Sequence, residues 1–284
     1  MSAAPSLAGL LRVARDPGGD FVAQLRDWGN AGAFGGDAIA RATLAAALDC
    51  EGKHLHALHA SFLRPVPAAV PLRIRVEALS EGRRLARRRV RVERDERLLC
   101  DVTASFASAG EGVGWQELAP PPGVPAPEDL RSDDEIAREE KWEDWNIERE
   151  EIEWRWVGRP WEATTGPGES SVWLAWVRPR VPLPDDPSLH AAALAYLSDH
   201  GSHWCAARRV GAAFDWAAFA SAEHALFVHR PVQWDDWWLL TNAGDVASDG
   251  RSFWRREIFA RDGRLIASIA QHGLVATRAG DRAP

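Results

Sequence analysis

The 284-residue sequence lacks the features of disulfide-rich, zinc-binding and membrane-spanning proteins. Its three cysteines, Cys50, Cys100 and Cys205, form neither a CxxC pair nor a cysteine–histidine ligand spacing. We therefore expect reduced thiols and no metal site. No apolar run reaches the length of about 18 residues that a membrane helix needs, and residues 1–20 lack a signal-peptide core. These absences predict a cytoplasmic protein with no membrane contact.

The chain also lacks a basic excess. Its formal net charge is −7, and because nucleic-acid binding favours a basic face, we expect no nucleic-acid partner. The negative charge is concentrated in residues 128–153, which hold 13 acidic and 4 basic residues. The flanking regions are close to neutral and would not repel an anionic ligand such as coenzyme A.

The distribution of glycine and proline predicts two units of similar size. Residues 107–127 have the glycine- and proline-rich composition of a linker. The acidic segment follows, and part of it is expected to be a helix or strand. We therefore predict an N-terminal unit at 1–110, a linker with an acidic insert at 111–154, and a C-terminal unit at 155–284.

Each half is predicted to contain one apolar helix and about five antiparallel strands. In the first half, Asp37 is the expected N-cap of a helix at 38–48. In the second half, Ser188 is the expected N-cap of a helix at 188–196. The predicted strands are 55–63, 72–79, 85–92 and 98–106 in the first half, and 172–181, 221–229, 237–242, 253–259 and 265–275 in the second. This repeated pattern predicts an α+β fold built twice.

Short motifs in both halves resemble those of one known family. The first half contains FGG at 34–36, HALHASFLRP at 56–65, VEAL at 76–79 and TASF at 103–106. The second half contains YLSD at 196–199, ASAEH at 220–224, HRP at 229–231, WWLL at 237–240 and DGRLIASIAQHG at 262–273. In this order they resemble the signatures of the acyl-CoA thioesterase II family. The resemblance implies a double hotdog fold, in which each unit has a central helix wrapped by a curved antiparallel sheet.

The resemblance also implies a chemistry and the residues that perform it. By motif position, Asp199, Ser221 and Gln271 would be catalytic and would hold a water against a thioester. A carboxylate, a hydroxyl and an amide together offer the acceptors and donors needed to orient one water, and Asp199 would be the general base. The implied reaction is hydrolysis of an acyl-CoA or acyl-carrier thioester, without a cofactor.

Six other residues at matching motif positions are expected to bind the substrate: Gly35, Gly36, Asp37, His59, Glu223 and His224. Backbone N–H groups at the first helix start could hold the thioester carbonyl. The sequence departs from the family pattern at Asp37, Glu223 and His272, where the family usually has glutamine, aspartate and glutamate. Exposed sheet edges and tryptophan-rich faces further predict a homodimer or a higher homo-oligomer.

Two other functions fit parts of the sequence. Asp199 and His203 are four residues apart, an arrangement similar to the hotdog enoyl-CoA hydratase motif. The Asn-Pro-Leu usual between those two residues is missing, and Ser221 and Gln271 would have no role in that reaction. The other alternative is a non-catalytic or pathway-specific acyl-binding protein that keeps the fold with a slow site.

Overall fold

A computed structural model describes residues 6–27, 32–141, 151–159, 162, 170–211 and 219–276. The helices in this part of the chain are α1 (Leu7–Leu10), α2 (Gly35–Leu48), α3 (Asp133–Glu140), α4 (Pro187–Asp199) and α5 (Ser202–Val210), with a 3₁₀ turn at Pro127–Asp129. None of the described helices is long and apolar enough to cross a membrane.

The strands divide evenly between the two halves of the chain. The first half has β1 (Ala14–Arg15), β2 (Phe21–Gln24), β3 (His54–Phe62), β4 (Pro71–Glu81), β5 (Leu85–Arg94) and β6 (Arg97–Ala107). The second half has β7 (Ile152–Val157), β8 (Trp173–Pro179), β9 (Ala220–Val228), β10 (Trp238–Ser248), β11 (Arg251–Ala260) and β12 (Leu265–Leu274). The predicted meanders are confirmed.

One antiparallel sheet contains all twelve described strands, in the order β1-β2-β4-β5-β6-β3-β9-β12-β11-β10-β8-β7. The halves join where β3 pairs with β9, and in that pairing His59 lies opposite Ala225. The two helix-plus-meander units therefore form one continuous body.

The two long helices, α2 and α4, pack against each other inside the curved sheet. Both are rich in alanine, and nearly every residue from Ala38 to Ala47 and from Leu189 to Asp199 is buried. A helix that is apolar on all sides is stable only when it is enclosed. The start of α2 contacts the end of α4, since a Cβ on Gly36 would lie 2.7 Å from the carbonyl oxygen of Tyr196.

Both predicted helix N-caps are wrong. Helix α2 begins at Gly35 after Phe34, so Asp37 is its third residue. Helix α4 is capped by Asp186, whose carboxylate accepts the N–H of Ser188 at 2.9 Å. Pro187 can occupy the first helical position because the N–H missing from proline would have no acceptor there. Helix α4 also runs to Asp199, beyond the predicted end at residue 196.

The acidic insert contributes to the described body at both of its ends. Helix α3 starts with a capping box between Ser132 and Glu135. Strand β7 then pairs with β8 at the sheet edge, and the expected boundary between residues 154 and 155 falls inside it. Residues 142–150 of the insert lie outside the described residues. The three-part division of the chain stays a prediction.

Candidate active site

The structure brings together the three residues expected to be catalytic. Asp199 is the last residue of α4, Ser221 lies near the start of β9, and Gln271 lies near the end of β12. The Gln271 Nε2 donates to Asp199 Oδ1 and to Ser221 Oγ, both at 2.8 Å. The Ser221 Oγ donates to Asp199 Oδ1 at 3.1 Å. Asp199 is 2% exposed and Gln271 is 1% exposed, so these hydrogen bonds form with little competition from solvent.

A β-bulge turns Ser221 toward this site. Pairing with β12 skips one residue of β9 between Glu223 and Ser221, so that Ala222 is unpaired. In a regular strand, Ser221 would point to the same face as Glu223, whose side chain is exposed. The extra residue reverses the direction of the side chains that precede it. Ser221 consequently reaches Asp199.

His224 lies behind Gln271 and orients its amide. The His224 Nδ1 hydrogen-bonds Gln271 Oε1, and its Nε2 lies 2.9 Å from Ser198 Oγ. Because an amide oxygen only accepts, the Nδ1 must carry a proton. Burial lowers the pKa of His224, which favours the neutral ring. His224 was expected to bind substrate, but its observed contacts direct the Gln271 NH₂ toward Asp199.

A glycine at the start of α2, Gly35, lies against the candidate catalytic residue Asp199. A Cβ on Gly35 would be 2.8 Å from Asp199 Oδ2 and 3.1 Å from the Phe62 ring. The N-cap, Phe34, makes no side-chain cap, and no acceptor among the described residues reaches the N–H groups of Gly35 and Gly36. A helix start with open N–H groups and a positive dipole end is suited to a developing negative charge. Of these two glycines, Gly35 lies beside the carboxylate of Asp199.

Three expected substrate-binding residues do not join this cluster. Asp37 is fully buried, pairs with Arg41 at 2.7 Å and accepts the backbone N–H of Arg26 at 3.1 Å, so it braces α2. His59 is exposed on β3, where its ring contacts Phe227. Glu223 is also exposed, and it accepts the hydroxyl of Ser61 across the junction of the halves at 2.7 Å. Their contact with substrate stays a prediction.

Aromatic rings surround the peptide that follows Asp199. The His200 ring is buried, with ring centroids 4.5 Å from Phe34 and 4.6 Å from Tyr196. Trp154, from the edge strand β7, contributes a third ring at 5.9 Å. This apolar packing lowers the local dielectric and strengthens hydrogen bonds to Asp199.

The alternative pairing of Asp199 with His203 is not favoured. Gly201, in a left-handed conformation with φ of 66°, separates α4 from α5 and places His203 in the second helix. The His203 ring contacts Trp204 and Phe219. Asp199 instead bonds residues from β9 and β12, which are the residues that the hydratase interpretation leaves without a role.

Sequence reasoning missed two buried polar residues next to the site, Ser198 and Arg256. Arg256 lies on β11 and is 1% exposed. The pattern of residues along β11 could have indicated this buried arginine. Its inward residues alternate, and Arg256 falls between the buried Trp254 and Ile258. A charged residue at an inward position of an amphipathic strand must have buried partners.

Comparisons with known proteins match both halves of the chain to one family. Residues 25–107 match the family model described as the acyl-CoA thioesterase N-terminal domain, and residues 121–275 match the acyl-CoA thioesterase C-terminal domain. The chain is 30% identical to acyl-CoA thioesterase 2 of Haemophilus influenzae over 267 residues, which cover 90% of this chain and 91% of that protein.

Two solved structures have a similar fold. An acyl-CoA thioesterase II from Mycobacterium marinum is 28% identical with a TM-score of 0.77, over 97% of this chain and 100% of that one. A hotdog-fold protein of unknown function from Alicyclobacillus acidocaldarius is 19% identical with a TM-score of 0.76, over 95% of this chain and 97% of that one. The expected double hotdog fold is confirmed, and the chain belongs to the acyl-CoA thioesterase II family.

Proposed function

We propose that this protein hydrolyses acyl-CoA thioesters with a water held by Asp199, Ser221 and Gln271. The observation that supports this most directly is the buried hydrogen-bonded triangle of the three residues beside the open start of α2. Asp199 Oδ1 accepts two hydrogen bonds, whereas no donor among the described residues reaches Oδ2, which faces Gly35. Oδ2 is therefore the atom that would take the proton from water.

The same geometry supports a complete hydrolytic step. Water donates one proton toward Asp199 Oδ2 and attacks the thioester carbonyl carbon. The N–H groups of Gly35 and Gly36 stabilise the resulting oxyanion, aided by the dipole of α2. When the tetrahedral intermediate collapses, the carbon–sulfur bond breaks, and the leaving thiolate receives the proton held by Asp199. The products are the free acid and coenzyme A thiol.

A panel of thioesters tests the proposed function. Purified protein is incubated with saturated acyl-CoAs of increasing chain length, with a 2-enoyl-CoA, and with an acyl-carrier thioester, while free thiol and enoyl absorbance are followed. Hydrolysis releases thiol from a saturated acyl-CoA. Loss of enoyl absorbance without thiol release would instead indicate a hydratase, and binding without turnover of any thioester would indicate an acyl-binding protein.

We further propose that the enzyme is a cytoplasmic homodimer. The three cysteines are all buried and form no disulfide, which is typical of a reducing compartment. The half-exposed Phe227 lies on the central strand β9, on the outer face of the sheet, where a second copy could cover it. A monomer at every concentration in light scattering would contradict the dimer.

A further inference from the structure

We propose that Arg256 is a positioning residue that aims Asp199 by binding the backbone on both sides of it. Arg256 does not touch the reacting atoms in this assignment. The inference rests on the proposed function, since it gives Arg256 a role only if Asp199 is the base.

The contacts of Arg256 surround Asp199 along the chain. Its Nη1 donates to the carbonyl oxygen of Leu197 at 2.7 Å and to that of Ser198 at 3.2 Å. Its Nη2 donates to the carbonyl oxygen of His200. The guanidinium thus binds the two residues before Asp199 and the residue after it. It is itself anchored by its Nε, which donates to Asn242 on β10.

These carbonyls need a donor for a physical reason. The last carbonyls of a helix have no partner within the helix, and water usually satisfies them. At the end of α4 the residues from Leu197 to His200 are buried, so protein donors must replace water. The N–H of His200 reaches the Leu197 carbonyl oxygen at 3.1 Å, and Arg256 supplies further donors to the carbonyls of Leu197, Ser198 and His200. A planar guanidinium offers several N–H groups in fixed directions, and its charge opposes the negative end of the helix dipole. Arg256 therefore fixes the backbone from which the Asp199 side chain projects.

The N-terminal half has a different residue at the position that corresponds to Arg256. Trp254 lies opposite Gln271, and Arg88 lies opposite Ala104. Trp254 and Arg88 therefore occupy corresponding positions in β11 and β5. Arg256 lies two residues after Trp254, and Val90 lies two residues after Arg88, so Val90 is the counterpart of Arg256. Near the end of α2 the N-terminal half also has an arginine, Arg88 on β5, which binds the Asp49 carboxylate at 2.8 Å as well as the Asp49 carbonyl oxygen at 2.9 Å. In the C-terminal half, the observed hydrogen bonds of Arg256 are with the backbone beside Asp199 and with the side chain of Asn242, and the Asp199 carboxylate bonds Ser221 and Gln271.

Variants of Arg256 test the inference through kcat and KM. Arg256→Lys keeps the charge but not the fork of donors, and we expect it to lower kcat about 10-fold; Arg256→Gln should lower it about 10²-fold, as expected for a misplaced catalytic group. KM should change less than kcat, because Arg256 does not contact substrate. Arg255→Gln is the matched control: it is the neighbouring residue on the exposed face, where it pairs with Asp245, and its kcat should equal that of the wild type.

A double-mutant cycle separates positioning from a purely structural effect. If Arg256 acts through Asp199, then Arg256→Lys should have almost no further effect on kcat in the Asp199→Asn background. Circular dichroism and urea unfolding of each variant give the folded fraction to which kcat is normalised. Equal losses in both backgrounds would overturn the inference, as would a change confined to KM. An unchanged kcat in Asp199→Asn alone would instead overturn the proposed function.

Discussion

The two halves of this protein share one fold but differ at the positions where we propose that the chemistry is performed. The bulge in β3 and the bulge in β9 occur at corresponding places, so the strand pairings match residue by residue. At the matched positions, the C-terminal half has Ser221, His224 and Gln271, and the N-terminal half has Leu55, Leu58 and Ala104. The fold thus provides two equivalent locations, and polar side chains make one of them a candidate active site.

The ends of the two central helices, α2 and α4, also differ between the two halves. Helix α2 starts with open glycine N–H groups, whereas α4 starts with Pro187 and a carboxylate cap from Asp186. At the other ends, Asp199 is buried, while Asp49 is 39% exposed and paired with Arg88. The N-terminal half retains a cavity of about 150 Å³ at the start of α4, with Leu55 and Phe106 in its wall. A partly open space therefore remains there, but its wall has Leu55 at the position where the C-terminal half has Ser221.

The largest effect is expected when Asp199, the proposed general base, is replaced. Asp199→Asn should lower kcat for acyl-CoA hydrolysis by about 10² to 10⁴, because the amide cannot accept the proton of the water. Asp49→Asn is the matched change in the N-terminal half, and it should leave kcat unchanged. Initial rates of thiol release measure both variants. Equal losses would mean that the two halves are not functionally distinct.

Gln271→Ala makes the C-terminal half resemble the N-terminal half at the position of Ala104. The variant removes both amide donors that orient Asp199 and Ser221, and we expect kcat to fall about 10²-fold. Steady-state kinetics with a saturating acyl-CoA measure this loss. A variant with full kcat would show that Asp199 needs no such support.

Gly35→Ala tests the contact between the start of α2 and Asp199. The new Cβ would lie 2.8 Å from Asp199 Oδ2, so the carboxylate must move, and we expect kcat to fall about 10-fold. Gly110→Ala is a suitable control because a Cβ there meets nothing within 4 Å. Similar rates for the two variants would argue against α2 taking part in the site.

Ser221 should be replaceable by another hydroxyl but not by a methyl group. Ser221→Ala removes one donor to Asp199 and should lower kcat several-fold to about 10-fold, whereas Ser221→Thr should keep most of the activity. Steady-state kinetics give kcat for the two variants side by side. A Thr variant as slow as the Ala variant would indicate that side-chain size, rather than the hydroxyl, matters at the bulge.

The smallest effect concerns pH and stability. Burial lowers the pKa of His224 in the folded protein, so below about pH 6.5 the unfolded chain takes up the proton first. The free energy of unfolding should then fall with decreasing pH, by at most about 1.4 kcal/mol per pH unit for this group. His224→Leu, which copies Leu58, should have a shallower loss between pH 7 and pH 5.5 in urea unfolding. An equal slope in both proteins would contradict this assignment.

Local patterns predicted the helix-plus-meander repeat because alternation and apolar runs reflect burial directly. The motif order in both halves was specific enough to locate Asp199, Ser221 and Gln271. Errors occurred where several local residues competed for one role, as at the N-cap of α4, where Ser188 was expected and Asp186 makes the cap. Strand alternation also could not reveal the bulge at Ala222, because a bulge depends on pairing with another strand.

The sequence by itself determined the duplicated architecture and the identity of the three candidate catalytic residues. Only the tertiary structure decided that Asp37 braces α2 rather than capping it, that His224 stands behind Gln271, and that Arg256 binds the end of α4. The physical reason is the range of the interactions. Propensity and periodicity act over a few neighbouring residues, whereas these contacts join residues that are brought close only when the sheet closes around the two helices.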